Sequence, residues 1–144
     1  MKQRTRLIAW LGLGLHAAVW GATPACPQPA DIEPSMLLGP WQIEWSDTSP
    51  EYGPNPWLLE LSPHPDYSGS LRGRLTRGAQ QLLVAADWDD DTLTMEESAD
   101  GQRIDATWQA TATEGQCARV FEGLRYTGSA PDASARRFRM HRRP

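Results

Sequence analysis

Ser70-Leu71-Arg72-Gly73-Arg74-Leu75-Thr76 alternates small or apolar residues with polar ones without a break. Successive side chains of an extended strand point to opposite faces, so this period of two predicts a strand with one face buried and the other in water. Leu71, Gly73 and Leu75 form the inner set, and Arg72, Arg74 and Thr76 the outer one. The rhythm continues on both sides. Upstream, 57–62 turns Trp57, Leu59 and Leu61 inward, and 41–46 does the same with Trp41, Ile43 and Trp45. Downstream, the inward sets are Leu82, Val84, Ala86 and Trp88 in 81–88, and Leu93 and Met95 in 92–97. They continue with Ile104, Ala106, Trp108 and Ala110 in 103–111, then Cys117, Phe121 and Gly123 in 117–126, then Phe138 and Met140 in 136–142. Asp89-Asp90-Asp91, Asp100-Gly101 and Glu114-Gly115 separate these runs with turn-forming chemistry. Apart from a short helical turn expected within 33–38, nothing in this region carries a helical period. The prediction is an all-β meander of eight strands.

Residues 1–22 read as a signal peptide. Lys2, Arg4 and Arg6 precede an almost wholly apolar run from Leu7 to Trp20. That run is shorter than the roughly 18–20 apolar residues that span a bilayer, so a cleaved leader is expected and no transmembrane span in the mature form. Residues 23–40 form a Pro-rich segment with Pro27, Pro29 and Pro34, and 41–144 a single domain of ordinary size. The whole chain has formal charge −4, and loss of the basic leader makes the exported part more acidic still. An acidic domain is poorly suited to nucleic-acid phosphates.

Cys26 and Cys117 are the two cysteines. In an oxidising compartment an even pair is expected to join, closing a loop of about 90 residues worth about 4–5 kcal/mol by chain entropy. Cleavage just before Cys26 would instead leave a lipidated N-terminus. Thr23 stands where a lipoprotein signal wants Leu, so the disulfide and a periplasmic or secreted location are preferred.

Eight antiparallel strands with short loops close into an up-and-down barrel or divide into a sandwich. In a meander the odd strands all start at one rim, which puts Cys26 and Cys117 together and favours the barrel. Closure would also bring the region from Arg139 to Arg143 beside Trp41, where a guanidinium can stack on the indole. Gly39, Trp41 and a C-terminal basic residue, one of Arg139, Arg142 or Arg143, resemble the signature of the calycins. These include the lipocalins, the avidins and small bacterial metalloprotease inhibitors, and the mature length is more similar to the latter two. The resemblance implies an eight-stranded barrel closed by Trp41 and that arginine. The avidins' biotin-contacting pattern is absent, so biotin is not implied.

Function is read from the inward aromatics. Trp45, Trp57, Trp108 and Tyr126 are the candidate ligand-binding residues, with Trp45, Trp57 and Tyr126 expected at the mouth opposite the cysteines. A barrel of this size holds at most one small apolar or aromatic molecule. Plain core packing is the competing explanation. A second reading is a protein-binding module, such as an inhibitor of an exported hydrolase, acting through the Pro-rich loop 49–56. A third is an envelope accessory factor that docks through Arg136, Arg137, Arg139, Arg142 and Arg143. Asp87, Asp89, Asp90 and Asp91 lack the register of a calcium loop and read as a solvated turn. Outside the leader the histidines are His64, set between two prolines, and His141. Glu44 and Glu60 fall on outward faces, away from any pairing with Glu122. No nucleophile elbow or zinc cluster is present. The expectation is therefore no enzyme activity, no metal and no cofactor.

Overall fold

The computed structural model describes residues 26–46, 55–127 and 135–144. The predicted leader and most of the loop 49–56 lie outside the described residues. The strands are β1 (Gly39–Trp45), β2 (Trp57–Pro63), β3 (Leu71–Arg77), β4 (Gln80–Asp89), β5 (Thr92–Ser98), β6 (Ala106–Ala112), β7 (Val120–Thr127) and β8 (Arg136–Arg142). They form a closed barrel in sequence order, every neighbour antiparallel. The pairing of β8 with β1 decides against a sandwich, with Trp41 opposite Arg142, Ile43 opposite Met140 and Trp45 opposite Phe138. The alternation predicted from sequence sets the burial. In β2, for instance, Trp57, Leu59 and Leu61 are buried while Leu58 and Glu60 are exposed.

The rim where β1 begins is sealed. Two 3-10 turns, Pro29–Asp31 and Pro34–Leu37, lead into it. The second is the expected helical turn, and its Leu37 is fully buried. The Trp41 indole N–H donates to the Leu37 carbonyl at 2.8 Å. Arg142 lies with its guanidinium carbon 5.4 Å from the Trp41 ring centroid. It donates from Nη1 to the Met36 carbonyl at 2.7 Å, and from Nη2 to the Leu38 carbonyl. Gly39 has φ +104°, a conformation that side chains disfavour. Of the three closure candidates, Arg142 performs the role, and Arg143 is exposed. Arg139 sits on the opposite face of β8, in an exposed ion pair with Glu122 at 3.6 Å. The difference is parity, because Phe138, Met140 and Arg142 share one side of the strand. The Cys26–Cys117 disulfide fastens the N-terminal segment at the same rim.

Two strand starts differ from expectation by three residues each. The sixth strand begins at Ala106 rather than Arg103, and Ile104 is 52% exposed. Asp100 captures the chain first, accepting from the backbone N–H of Gln102 and of Arg103, both at 2.9 Å. Asp105 accepts from the Ala99 N–H at 2.8 Å. Such local bonds compete with ladder bonds and hold 99–105 as a loop. The seventh strand begins at Val120 because Cys117 and Ala118 take left-handed φ values of +51° and +54°. Cys117 is thus a turn residue and not an inward strand position.

Gly123 marks the closest backbone approach. A Cβ placed there would lie 1.9 Å from the Gln109 carbonyl oxygen. Gly123→Ala should therefore cost about 3 kcal/mol or more by forcing β6 and β7 apart, read as a lowered urea midpoint. Asp100 gives a pH test. Its backbone hydrogen bonds from Arg103 and Gln102 lower its pKa from 3.8 to about 2. A depressed carboxyl stabilises above its ordinary pKa and loses that contribution as pH falls through the folded value. Wild type should exceed Asp100→Asn in urea midpoint above pH 4, and the gap should close as pH falls from 3.8 towards 2.

Candidate functional site

The opposite rim is built from the end of β1, the start of β2, the start of β6, the end of β7 and the start of β8. Inward parity brings Trp45, Trp57, Trp108 and Phe138 together there. Trp45 stands edge-on to Trp57 with centroids 4.8 Å apart and is 5.5 Å from Trp108. Trp57 and Trp108 are 6.2 Å apart, and Trp108 meets Phe138 at 4.8 Å. Trp57 and Trp108 are each 1% exposed, whereas Trp45 is only half-buried.

Within this aromatic group lies an ion pair. Arg125 on β7 reaches across β6 to Glu97 on β5, donating from Nε to Oε2 and from Nη2 to Oε1, both at 2.9 Å. The two side chains are 4% and 3% exposed. The Trp108 indole N–H donates to the same Glu97 Oε2 at 3.0 Å. The Arg125 guanidinium carbon lies 5.5 Å from the Trp57 centroid and 5.4 Å from that of Trp108. Arg77 adds a second cation 5.0 Å from Trp57. Arg125 Nη1 is buried and has no hydrogen-bond partner among the described residues. Removing two charges from water is expensive, and a bidentate bridge with an added indole donor is the geometry that offsets it.

Of the four residues read as ligand-binding, Trp45, Trp57 and Trp108 come together and Tyr126 does not. Tyr126 pairs with Thr107 on the outer face. There it lines a shallow cleft with Gln109, Glu122, Leu124 and Arg137. Parity explains both this and the residues that sequence reasoning missed. With Phe121 and Gly123 inward, the next inward position is Arg125, and after Leu93 and Met95 it is Glu97. Opposite charges at two inward strand positions are the signal for a buried pair.

The other candidates sit apart. His64 Nδ1 accepts from the backbone N–H of Asp66 and Tyr67 at 3.1 and 3.2 Å, capping its own loop. Asp90 and Asp91, with φ +44° and +59°, form the two-residue turn of an exposed hairpin. In the basic C-terminal strand, His141 Nε2 lies 4.0 Å from a Glu44 oxygen and Arg139 is paired with Glu122. Among the described residues no group of three or more His, Cys, Asp or Glu is placed to hold a metal.

No family model and no curated protein matches this chain. The closed antiparallel ring is compatible with a calycin-like barrel.

Arg125→Met should destabilise by about 3–5 kcal/mol, because it strands the Glu97 carboxylate in the interior. Combining it with Glu97→Gln should recover most of that loss, since the amide oxygen still accepts from Trp108. Urea unfolding of wild type, single and double variants measures both effects.

Proposed function

We propose that this chain is an exported, non-enzymatic binding protein, calycin-like in type, that receives a small apolar or aromatic molecule at the Trp45–Trp57–Trp108 end of its barrel. The observation that supports this reading is the grouping of three indoles, two of them set against one buried charge pair, at the end opposite the sealed rim. Packing alone is served as well by aliphatic side chains, which need no buried ions. The Cys26–Cys117 bridge fits export to the periplasm or beyond.

Trp57 and Trp108 are walls in this account and Trp45 is the gate. Its half-buried ring swings towards solvent, and the ligand ring takes its place against the two buried indoles. The cost of displacing Trp45 lowers apparent affinity by the fraction of molecules that are open.

N-phenyl-1-naphthylamine, a neutral aromatic dye that brightens in apolar surroundings, is a suitable probe. Trp45→Ala should bind it about tenfold more tightly than wild type, because the place stands open. Trp57→Ala, checked for folding by circular dichroism, should lose binding. Equal affinity in all three proteins, or none in any, would remove the reading.

A further inference from the structure

We infer that Arg125 Nη1 is a hydrogen-bond donor held for the ligand, and that the ligand is a planar aromatic molecule bearing a neutral carbonyl-type acceptor. This deepens the proposed binding role and rests on it. A guanidinium carries five N–H groups in a fixed fork. Glu97 engages Nε and Nη2, both at 2.9 Å, which leaves the Nη1 hydrogens. Nη1 is buried and unpartnered among the described residues, on a side chain 4% exposed. Buried donors are almost always satisfied, so an orphan of this kind asks for an explanation.

The surroundings define what could satisfy it. Trp45 and the Arg125 guanidinium both rest on the same two rings, Trp57 and Trp108. A molecule that replaces the Trp45 ring meets the same two indoles that flank the guanidinium, and in this proposal Nη1 reaches it there. The Trp108 N–H is already engaged by Glu97, and among the described residues Arg125 Nη1 is a buried donor left to orient the ligand.

The charge of the site selects the acceptor. Glu97 already balances Arg125 at bonding distance, and the second cation on Trp57, Arg77, is engaged through Nε and Nη2 by Gln80 in exposed hydrogen bonds, where water screens it. A carboxylate ligand would add an uncompensated negative charge to a buried place beside an existing carboxylate, and that is costly. A ketone, amide, lactone or quinone oxygen accepts the same hydrogen bond with no added charge. A hydrogen bond from a charged donor is strong enough to discriminate by about tenfold or more.

Three probes of similar shape test this: acetophenone, ethylbenzene and benzoate. Dissociation constants come from shifts of the tryptophan indole N–H signals in nitrogen-correlated NMR spectra. Wild type should bind acetophenone at least tenfold more tightly than either of the others. The double variant Glu97→Gln/Arg125→Met should bind acetophenone and ethylbenzene alike. If wild type binds ethylbenzene as tightly as acetophenone, or the double variant keeps the preference, Nη1 is served by water and the inference fails while the tryptophan site stands. Tighter binding of benzoate overturns the charge argument. If none of the three binds to wild type, the tryptophan site itself is refuted.

Discussion

Backbone pairing between the last strand and the first turns a ribbon of hairpins into a ring. Every other strand already has its neighbours by chain order, so this one ladder removes both edges of the sheet. It also brings Arg142 over Trp41, and from there the guanidinium reaches the carbonyls of Met36 and Leu38. A single side chain thus joins the end of the chain, the first strand and the 3-10 turn that covers the rim. Arg serves where Lys would not, since its planar fork can stack on an indole while bonding two carbonyls.

The ring has two unlike ends. At one, Leu37, Trp41 and Phe121 pack as an ordinary apolar closure, with Trp41 and Phe121 edge to face at 5.5 Å. At the other, indoles surround an ion pair that a hydrophobic core does not need. Buried charges demand complete hydrogen bonding, and this pair meets that demand at Glu97 but, among the described residues, leaves part of Arg125 open. That imbalance is what singles out one end of an otherwise symmetric architecture.

Much of this was legible in the chain. Alternation in 70–76 and its neighbours gave all eight strands, because one buried face leaves little freedom of register. The closure partners could be named from Gly39, Trp41 and the C-terminal arginines, although only parity separates Arg142 from Arg139. The starts of β6 and β7 were misplaced, since Asp100 and the left-handed pair Cys117 and Ala118 act through local backbone bonds that hydrophobic pattern does not show. At the candidate site, the indoles were visible as inward aromatics. The ion pair was not, because Glu97 and Arg125 are 28 residues apart and charge ordinarily signals solvent. Strict parity along β5 and β7 places both inward and Tyr126 outside.

The bridge between Cys26 and Cys117 has a mechanical consequence. It anchors the Pro-rich leader of the domain to the turn that precedes β7. The cover over the first rim is therefore tethered at both of its ends, covalently at Cys26 and by the start of β1 at Gly39. Fraying of that cover would need a strand of the ring to yield as well. Local opening of the cover is thereby coupled to opening of the ring, so the base of the vessel is held shut by the same pairing that closes its wall.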